Sequence, residues 1–290
     1  MRVGGVDIIL HGLAGQTFKD LELVLSDGIW GRRHDRVMQA AADYGVAVKH
    51  VEPLDNPFPV NAFCRYANAT IRGASPDSDI SLIMTDYTWL RPDCVARHVA
   101  FHEANPTGHA YAGPHQYVQL PKLSPFFPPY GQGDTEKYVK DLESGYLDPV
   151  MTSILETPFD ADASALPPCP VQGGLLDPKL QVPAGYMKPT YFHAKNESVR
   201  TADLLAVNGW DEDLDEAHCY QDTELAERLT KHRAISWAVD PTNIAFIVNP
   251  RTVFPFPRRL HPVSRNEAIW RNKEARGYPL PPPLFKPSSN

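Results

Sequence analysis

Several motifs that would place this chain in a large protein class are missing from its sequence. Neither GxGxxG nor GxxxxGK[ST] occurs, so the dinucleotide-binding and P-loop classes lose their main support. No run of about 18 apolar residues could span a bilayer, and the N-terminus carries no signal-peptide pattern. We therefore expect a soluble, cytoplasmic protein.

Cysteine and positive charge are also scarce. The four cysteines stand far apart and form no CxxC pair, which argues against a zinc ribbon or a redox dithiol and favours reduced thiols. The 28 lysines and arginines against 35 acidic residues give a formal net charge of -7. This charge argues against broad binding to nucleic acid or anionic membrane, although a local basic pocket for a diphosphate is compatible with it.

Hydrophobic periodicity dominates the first third of the chain. Helical and strand periods alternate there, which is typical of βα units and of a mainly parallel sheet covered by helices. The 290 residues, 42% of them hydrophobic, suit one large α/β domain. The pattern predicts helices over 6–13, from about 32 to a C-cap at Gly45, and over 63–71, and strands at 21–25, 46–51 and 80–84.

The remainder of the chain divides into a loop-rich middle and an ordered end. Proline and glycine punctuate residues 106 to about 189, with one helix expected near 135–142. Order returns at 199–207. After it we expect a helix over 222–232, strands at 235–239 and 244–248, a last helix from Ser264 to Arg276, and an extended proline-rich tail at 279–287 that need not pack.

The helix predicted over 222–232 carries several charged residues. Glu224 and Arg228 have the i,i+4 spacing of an ion pair on an exposed face, whereas Leu225 and Leu229 should face the core. Asp222 stands at the helix start, where an aspartate is a favoured N-cap. On its own, the position therefore predicts a capping role.

Other polar residues are candidates through their positions. Asp27 and Asp86 follow predicted strands, and ligands of open α/β sheets bind beyond the carboxyl ends of strands, although aspartate is also an ordinary turn residue. His98 and His102 would share one helix face. That spacing could bind a metal, and the alternative is a solvated face.

Several segments, taken in order, resemble family 2 glycosyltransferases of the GT-A fold. Residues 12–28 (GLAGQTFKDLELVLSDG) are similar to the family's opening helix and second strand, and 83–93 (IMTDYTWLRPD) to the strand that carries the DXD motif and the turn after it. Residues 207–212 (VNGWDE) and 220–229 (YQDTELAERL) resemble the acceptor region "GG(F/W)DE…EDxEL…RL".

The resemblance implies a division of the chain. A GT-A domain with a mixed, Rossmann-like sheet flanked by helices would cover 1–250, with a nucleotide-sugar half at 1–105 and a loop-rich acceptor half at 106–250. Residues 251–290 would form a C-terminal helix and a proline-rich tail.

On the donor side, the resemblance implies roles for four residues. Asp27 would contact the nucleoside, and Arg65 and Asn68, in the motif Arg65-Tyr66-Ala67-Asn68, would face the donor. An arginine fork suits a diphosphate because it donates two parallel hydrogen bonds. Asp86 would help to hold the same diphosphate.

On the acceptor side, the resemblance implies that Asp222 is the general base of an inverting transfer. Gln221 stands where the family usually has glutamate. Trp210, Asp211 and Glu212 would shape the acceptor site.

A divalent metal, manganese or magnesium, would be the cofactor implied by the family. Asp86 is the one acid left of the DXD motif, because Thr85 and Tyr87 replace its neighbours. A hard cation prefers more carboxylates than this, so we expect weak or unusual metal dependence. His261 is a second candidate ligand, with a structural role as the alternative.

Family members begin with a β-strand that should precede Gly4, and almost nothing precedes it here. We expect either that translation starts upstream or that the sheet lacks this strand. The predicted function is sugar transfer from a nucleoside diphosphate donor to an acceptor hydroxyl. The alternatives are a nucleotidyltransferase, although its glycine-rich basic loop is not visible, and a non-catalytic sugar- or nucleotide-binding protein.

Overall fold

A computed structural model gives the fold over most of the chain outside the proline-rich middle. It describes residues 6–26, 28, 30–53, 62–85, 88–113, 115–119, 185–187, 192, 194–215, 217, 219–240, 242–249 and 263–285. Asp27, Asp86, His261 and the helix predicted near 135–142 lie outside these residues. Within them, no helix combines the length and the apolar character needed to cross a membrane.

The first third of the chain follows the predicted alternation of helices and strands. Its elements are α1 (Val6–Ala14), β1 (Leu23–Leu25), α2 (Trp30–Tyr44), β2 (Val48–His50), α3 (Phe63–Gly73), β3 (Ile80–Ile83), β4 (Thr88–Leu90) and α4 (Cys94–Ala104). Gly45 follows α2 with φ of +65°, the left-handed conformation in which a helix commonly ends. The helices and strands predicted here from periodicity are thus confirmed.

The second part contains strands that the sequence did not predict. Its elements are β5 (His109–Ala112), β6 (His115–Gln119), β7 (Gly185–Met187), β8 (Glu197–Arg200), α5 (Thr201–Ala206), a 3₁₀ turn (Glu212–Leu214), α6 (Gln221–Arg233), β9 (Ser236–Val239), β10 (Ala245–Asn249) and α7 (Val263–Ala275). Strands β5, β6 and β7 lie where only loops were expected. Each is short and bounded by glycine or proline, so the turn signal outweighed the strand signal.

The strands form a mixed set of sheets. The largest has the order β3-β8-β5-β9-β7, in which β5 and β9 are parallel and the other neighbours antiparallel. A second sheet has the order β4-β10-β6, and β1 pairs with β2 in parallel. The predicted α/β class with a mixed sheet and flanking helices is therefore confirmed.

Two hydrophobic clusters hold the helices onto the sheets. One joins α3, α5 and α6 to the five-stranded sheet, and the other joins α1 and α2 to β1, β4 and α4. Leu225 and Leu229 of α6 are fully buried in the first cluster, as predicted. Burying each of these side chains contributes about 2 kcal/mol.

The Glu224–Arg228 pair has the predicted i,i+4 spacing but the opposite environment. Arg228 Nη2 lies 2.8 Å from Glu224 Oε2, and both side chains are completely buried. The expectation of an exposed face is wrong. Arg228 donates a second bond from Nε to Glu224 and one from Nη1 to the Val207 carbonyl, so the buried charges are compensated.

His98 and His102 are also buried, which corrects the expectation of a solvated face. Both rings share one hydroxyl, with His98 Nδ1 at 2.7 Å and His102 Nε2 at 2.9 Å from Ser198 Oγ. His98 Nε2 lies 3.0 Å from Asn196 Oδ1. Burial lowers the pKa of both rings to about 4, so α4 packs on β8 through neutral imidazoles.

The C-terminal segment after α7 contacts the rest of the protein at several of its described residues. The Tyr278 carbonyl lies 2.6 Å from His232 Nε2, and Asn208 Nδ2 donates to the Pro281 carbonyl at 2.8 Å. Leu284 packs against the first hydrophobic cluster. The expectation that this tail need not pack is therefore wrong for Pro281 and Leu284, whereas Leu280 and Phe285 are exposed.

Candidate active site

The turn that leads into α6 has an unusual backbone. Cys219 and Tyr220 have φ values of +74° and +70°, and Tyr220 is the N-cap of α6. Each non-glycine residue in this conformation costs about 1 kcal/mol. Such strain persists only where surrounding contacts impose it, and it clusters at functional sites.

Asp222 is the second residue of α6, so the prediction that it is the N-cap is wrong. Its carboxylate faces Trp210, whose indole Nε1 lies 3.5 Å from Asp222 Oδ1. Loss of solvent raises the pKa of Asp222 to about 7, against the smaller lowering by the Trp210 hydrogen bond and the positive charge of Lys195. A carboxyl that titrates near neutral pH can both accept and release a proton there.

Lys195 is the basic group whose charge reaches Asp222, and sequence reasoning missed it. It lies in a tight turn before β8, where Ala194 has φ of +52°. Buried Glu197 holds that turn, since its Oε2 accepts the backbone N–H of Lys195 at 2.6 Å and of Asn196 at 2.9 Å. The only signal in the sequence was a lone lysine directly before Asn196, and no local pattern connects it to Asp222.

Asn68 joins α3 to the turn that carries Trp210. Its Oδ1 accepts the Trp210 backbone N–H at 2.8 Å, and its Nδ2 donates to the Trp210 carbonyl at 2.9 Å and to Glu212 Oε1 at 3.0 Å. Gly209 is required in this arrangement, because it has φ of +63° and a Cβ there would lie 2.4 Å from Asn68 Oδ1. The structure thus brings together residues predicted for the donor and acceptor sides.

Arg65 lies on the same side of α3 and contacts Glu212, with 3.4 Å between Nε and Oε2. Both side chains are partly exposed, so this pair is accessible to a ligand. Asp211 is instead buried, where it pairs with Lys273 and accepts the backbone N–H of Asp213 at 3.0 Å. Its predicted contact with an acceptor stays a prediction.

Asp215 caps α3 from a distance. Its carboxylate accepts the backbone N–H of Cys64 at 2.8 Å and of Arg65 at 3.2 Å. Burial raises the pKa of Asp215 to about 6, partly offset by these two hydrogen bonds. Cys64 and Asp215 are 151 residues apart in the chain, so no local signal could reveal this cap.

Gln221, which aligns with a glutamate of the motif quoted above, has a structural role here. Its Nε2 donates to the Leu214 carbonyl at 3.2 Å and to the Ala217 carbonyl at 2.8 Å. A glutamate carboxylate offers no donor for these acceptors. The amide therefore fastens the start of α6 to the preceding loop.

The remaining predicted site residues, Asp27, Asp86 and His261, lie outside the described residues. Among those described, no group of three or more His, Cys, Asp or Glu side chains could hold a metal ion. The metal site and the nucleoside contact stay predictions.

No protein-family model matches this chain, and no curated protein matches it either. The resemblance to family 2 glycosyltransferases therefore rests on the sequence motifs quoted above.

Proposed function

We propose that this protein is a GT-A glycosyltransferase that moves a sugar from a nucleoside diphosphate donor to an acceptor hydroxyl, with inversion at the anomeric carbon. The observation that carries the proposal is the Asp222 carboxyl, with a pKa raised by desolvation to about 7, beside Trp210 and Lys195. Perturbed titratable groups of this kind are concentrated at active sites.

In the proposed reaction, Asp222 takes the proton of the acceptor hydroxyl while the oxygen of that hydroxyl bonds to the anomeric carbon of the donor sugar. The bond from that carbon to the diphosphate oxygen breaks, and the nucleoside diphosphate leaves with the electron pair. Lys195 stabilises the Asp222 carboxylate before it receives the proton, and Arg65 is the group proposed to meet the leaving diphosphate.

A divalent metal fits this chain poorly. Asp86 stands between Thr85 and Tyr87, so the degenerate DXD motif supplies one carboxylate where a hard cation prefers more. No step above is routed through a metal, and Asp86 is proposed only as part of the donor site.

The first experiment is a panel of nucleotide sugars, scored by thermal stabilisation and by release of nucleoside diphosphate with and without hydroxyl acceptors. A ligand that binds only the folded protein raises its melting temperature. Stabilisation with turnover supports the proposal. Stabilisation without turnover across the panel favours the non-catalytic binding protein, and pyrophosphate release from a nucleoside triphosphate and a sugar phosphate favours the nucleotidyltransferase.

The second experiment replaces the proposed base. Asp222→Asn should lower turnover by a factor on the order of 10² to 10⁴ with donor affinity largely retained. Asp213→Asn is the matched control, because Asp213 is an exposed acid in the neighbouring loop. Equal turnover in both variants would remove Asp222 from the mechanism.

A further inference from the structure

The C-terminal helix α7 packs beside the loop that leads into Asp222. Asn266 of this helix is completely buried, and its Nδ2 donates to the Leu214 carbonyl at 2.8 Å and to the Cys219 carbonyl at 3.0 Å. One amide therefore joins the two ends of the loop between the 3₁₀ turn and α6.

Arg265 fixes the orientation of that amide. Its Nη1 lies 3.2 Å from Asn266 Oδ1, 3.1 Å from the Asp213 carbonyl and 2.9 Å from the Asp215 carbonyl, so its two hydrogens are shared among three acceptors. With Oδ1 engaged as an acceptor, the amide nitrogen must face the carbonyls of Leu214 and Cys219.

Trp270, one turn further along α7, stacks on Tyr220. The ring centroids are 5.4 Å apart and the planes differ by 27°. Asn266, Trp270 and Lys273 have the i, i+4, i+7 spacing of one helix face, and Lys273 pairs with buried Asp211. The whole face is thus engaged with the segment from Asp211 to Tyr220.

We propose that Asn266 and Trp270 are positioning residues, which hold Cys219 and Tyr220 in their left-handed conformation and thereby fix the place of the Asp222 carboxylate. Two successive non-glycine residues in this conformation need contacts from outside the turn. The Cys219 carbonyl and the Tyr220 ring receive such contacts from α7. The catalytic consequence rests on the proposed function, whereas the positioning itself does not.

The titratable groups that interact electrostatically with Asp222 come from elements other than α7. Lys195 approaches from the turn before β8, Cys64 from α3, and Cys219 from the same loop. Helix α7 therefore acts on Asp222 through the backbone of residues 219 and 220. Loss of its contacts to these residues should change the solvation of the Asp222 carboxyl and leave its charge interactions in place.

The test uses two variants of the contact face and two controls. Asn266→Leu removes both donated bonds at similar volume, and Trp270→Leu removes the stack. Trp270→Tyr keeps an aromatic ring, and Asn272→Leu makes the first change at an exposed position on the same helix. If Asn266→Leu does not fold, Trp270→Leu carries the test.

The expected result is a loss of kcat of about 10-fold to 100-fold in Asn266→Leu and Trp270→Leu, with KM changed less than about threefold. The acid limb of the rate profile should move to lower pH, because the released carboxylate gains water. Trp270→Tyr and Asn272→Leu should resemble the unmodified protein. Folded Asn266→Leu and Trp270→Leu with unchanged kcat and pH limb would overturn the proposal.

A measurement without turnover separates this proposal from the proposed function. The difference in unfolding free energy between each variant and its Asp222→Asn double variant, followed against pH, reports the pKa of Asp222 directly. A lowered pKa supports the positioning role even if no donor is ever turned over. An unchanged pKa in both Asn266→Leu and Trp270→Leu overturns it.

Discussion

Replacing Asp222 by asparagine should make the protein more stable at alkaline pH. The folded-state pKa of about 7 lies above the ordinary value of 3.8, so the folded protein binds this proton more tightly than the unfolded chain. The contribution of Asp222 to the free energy of unfolding is therefore fully present below about pH 4 and is lost as the pH rises from about 4 to 7. Asparagine keeps the oxygen that accepts from Trp210 and never acquires the charge.

The raised pKa of Asp222 sets the stability that Asp222→Asn should gain. About three pKa units correspond to about 4 kcal/mol, since one unit is worth 1.36 kcal/mol. Part of the side chain is reached by solvent, which screens the charge, so we expect about 2 kcal/mol at pH 8. The gain should fall to a few tenths of a kcal/mol near pH 4.

Urea unfolding of Asp222→Asn and the unmodified protein at pH 4.5, 6 and 8 measures this difference. The buried histidines and Asp215 titrate in both proteins and cancel from it. Asp213→Asn, an exposed neighbour, should show no pH-dependent gain. A gain of equal size at pH 4.5 and 8, or a loss at pH 8, would refute the argument that a desolvated carboxylate is present.

The buried histidines, the buried Glu224–Arg228 pair and Asp86 can each be tested by substitution. His98 and His102 have pKa values of about 4 in the folded protein, against 6.5 for a free imidazole. Each should therefore stabilise the folded state above pH 6.5 by up to about 3 kcal/mol, and this stabilisation should be lost as the pH falls toward 4. His98→Gln should reduce this loss, measured by unfolding at acid pH. Glu224→Gln should cost about 3–5 kcal/mol in denaturant unfolding, because it leaves Arg228 buried without its charge partner, and a cost below about 1 kcal/mol would contradict this. Asp86→Ala should weaken donor binding in calorimetry more than chelation does, and complete loss on chelation, restored by manganese or magnesium, would contradict that.

Much of the secondary structure could be predicted from local patterns. The helical period of α3 and α6, the apolar strands β3 and β9, and the left-handed C-cap at Gly45 depend on neighbours along the chain, so periodicity and turn chemistry are sufficient for them. The sequence also drew attention to Asp222 and to the Trp210 turn. How these residues meet depends on packing between elements that are distant in the chain.

Tertiary structure alone decided how those residues are used. The same α4 face could be solvated or bind metal until β8 covered it and Ser198 took both imidazoles. Asp215 reaches Cys64 across 151 residues of chain, and Lys195 reaches Asp222 only because β8 and α6 pack against one cluster. Local periodicity sets which side of an element is apolar, whereas sheet register and helix packing set which distant polar groups lose water together, and that loss of water determines the pKa values at the candidate site.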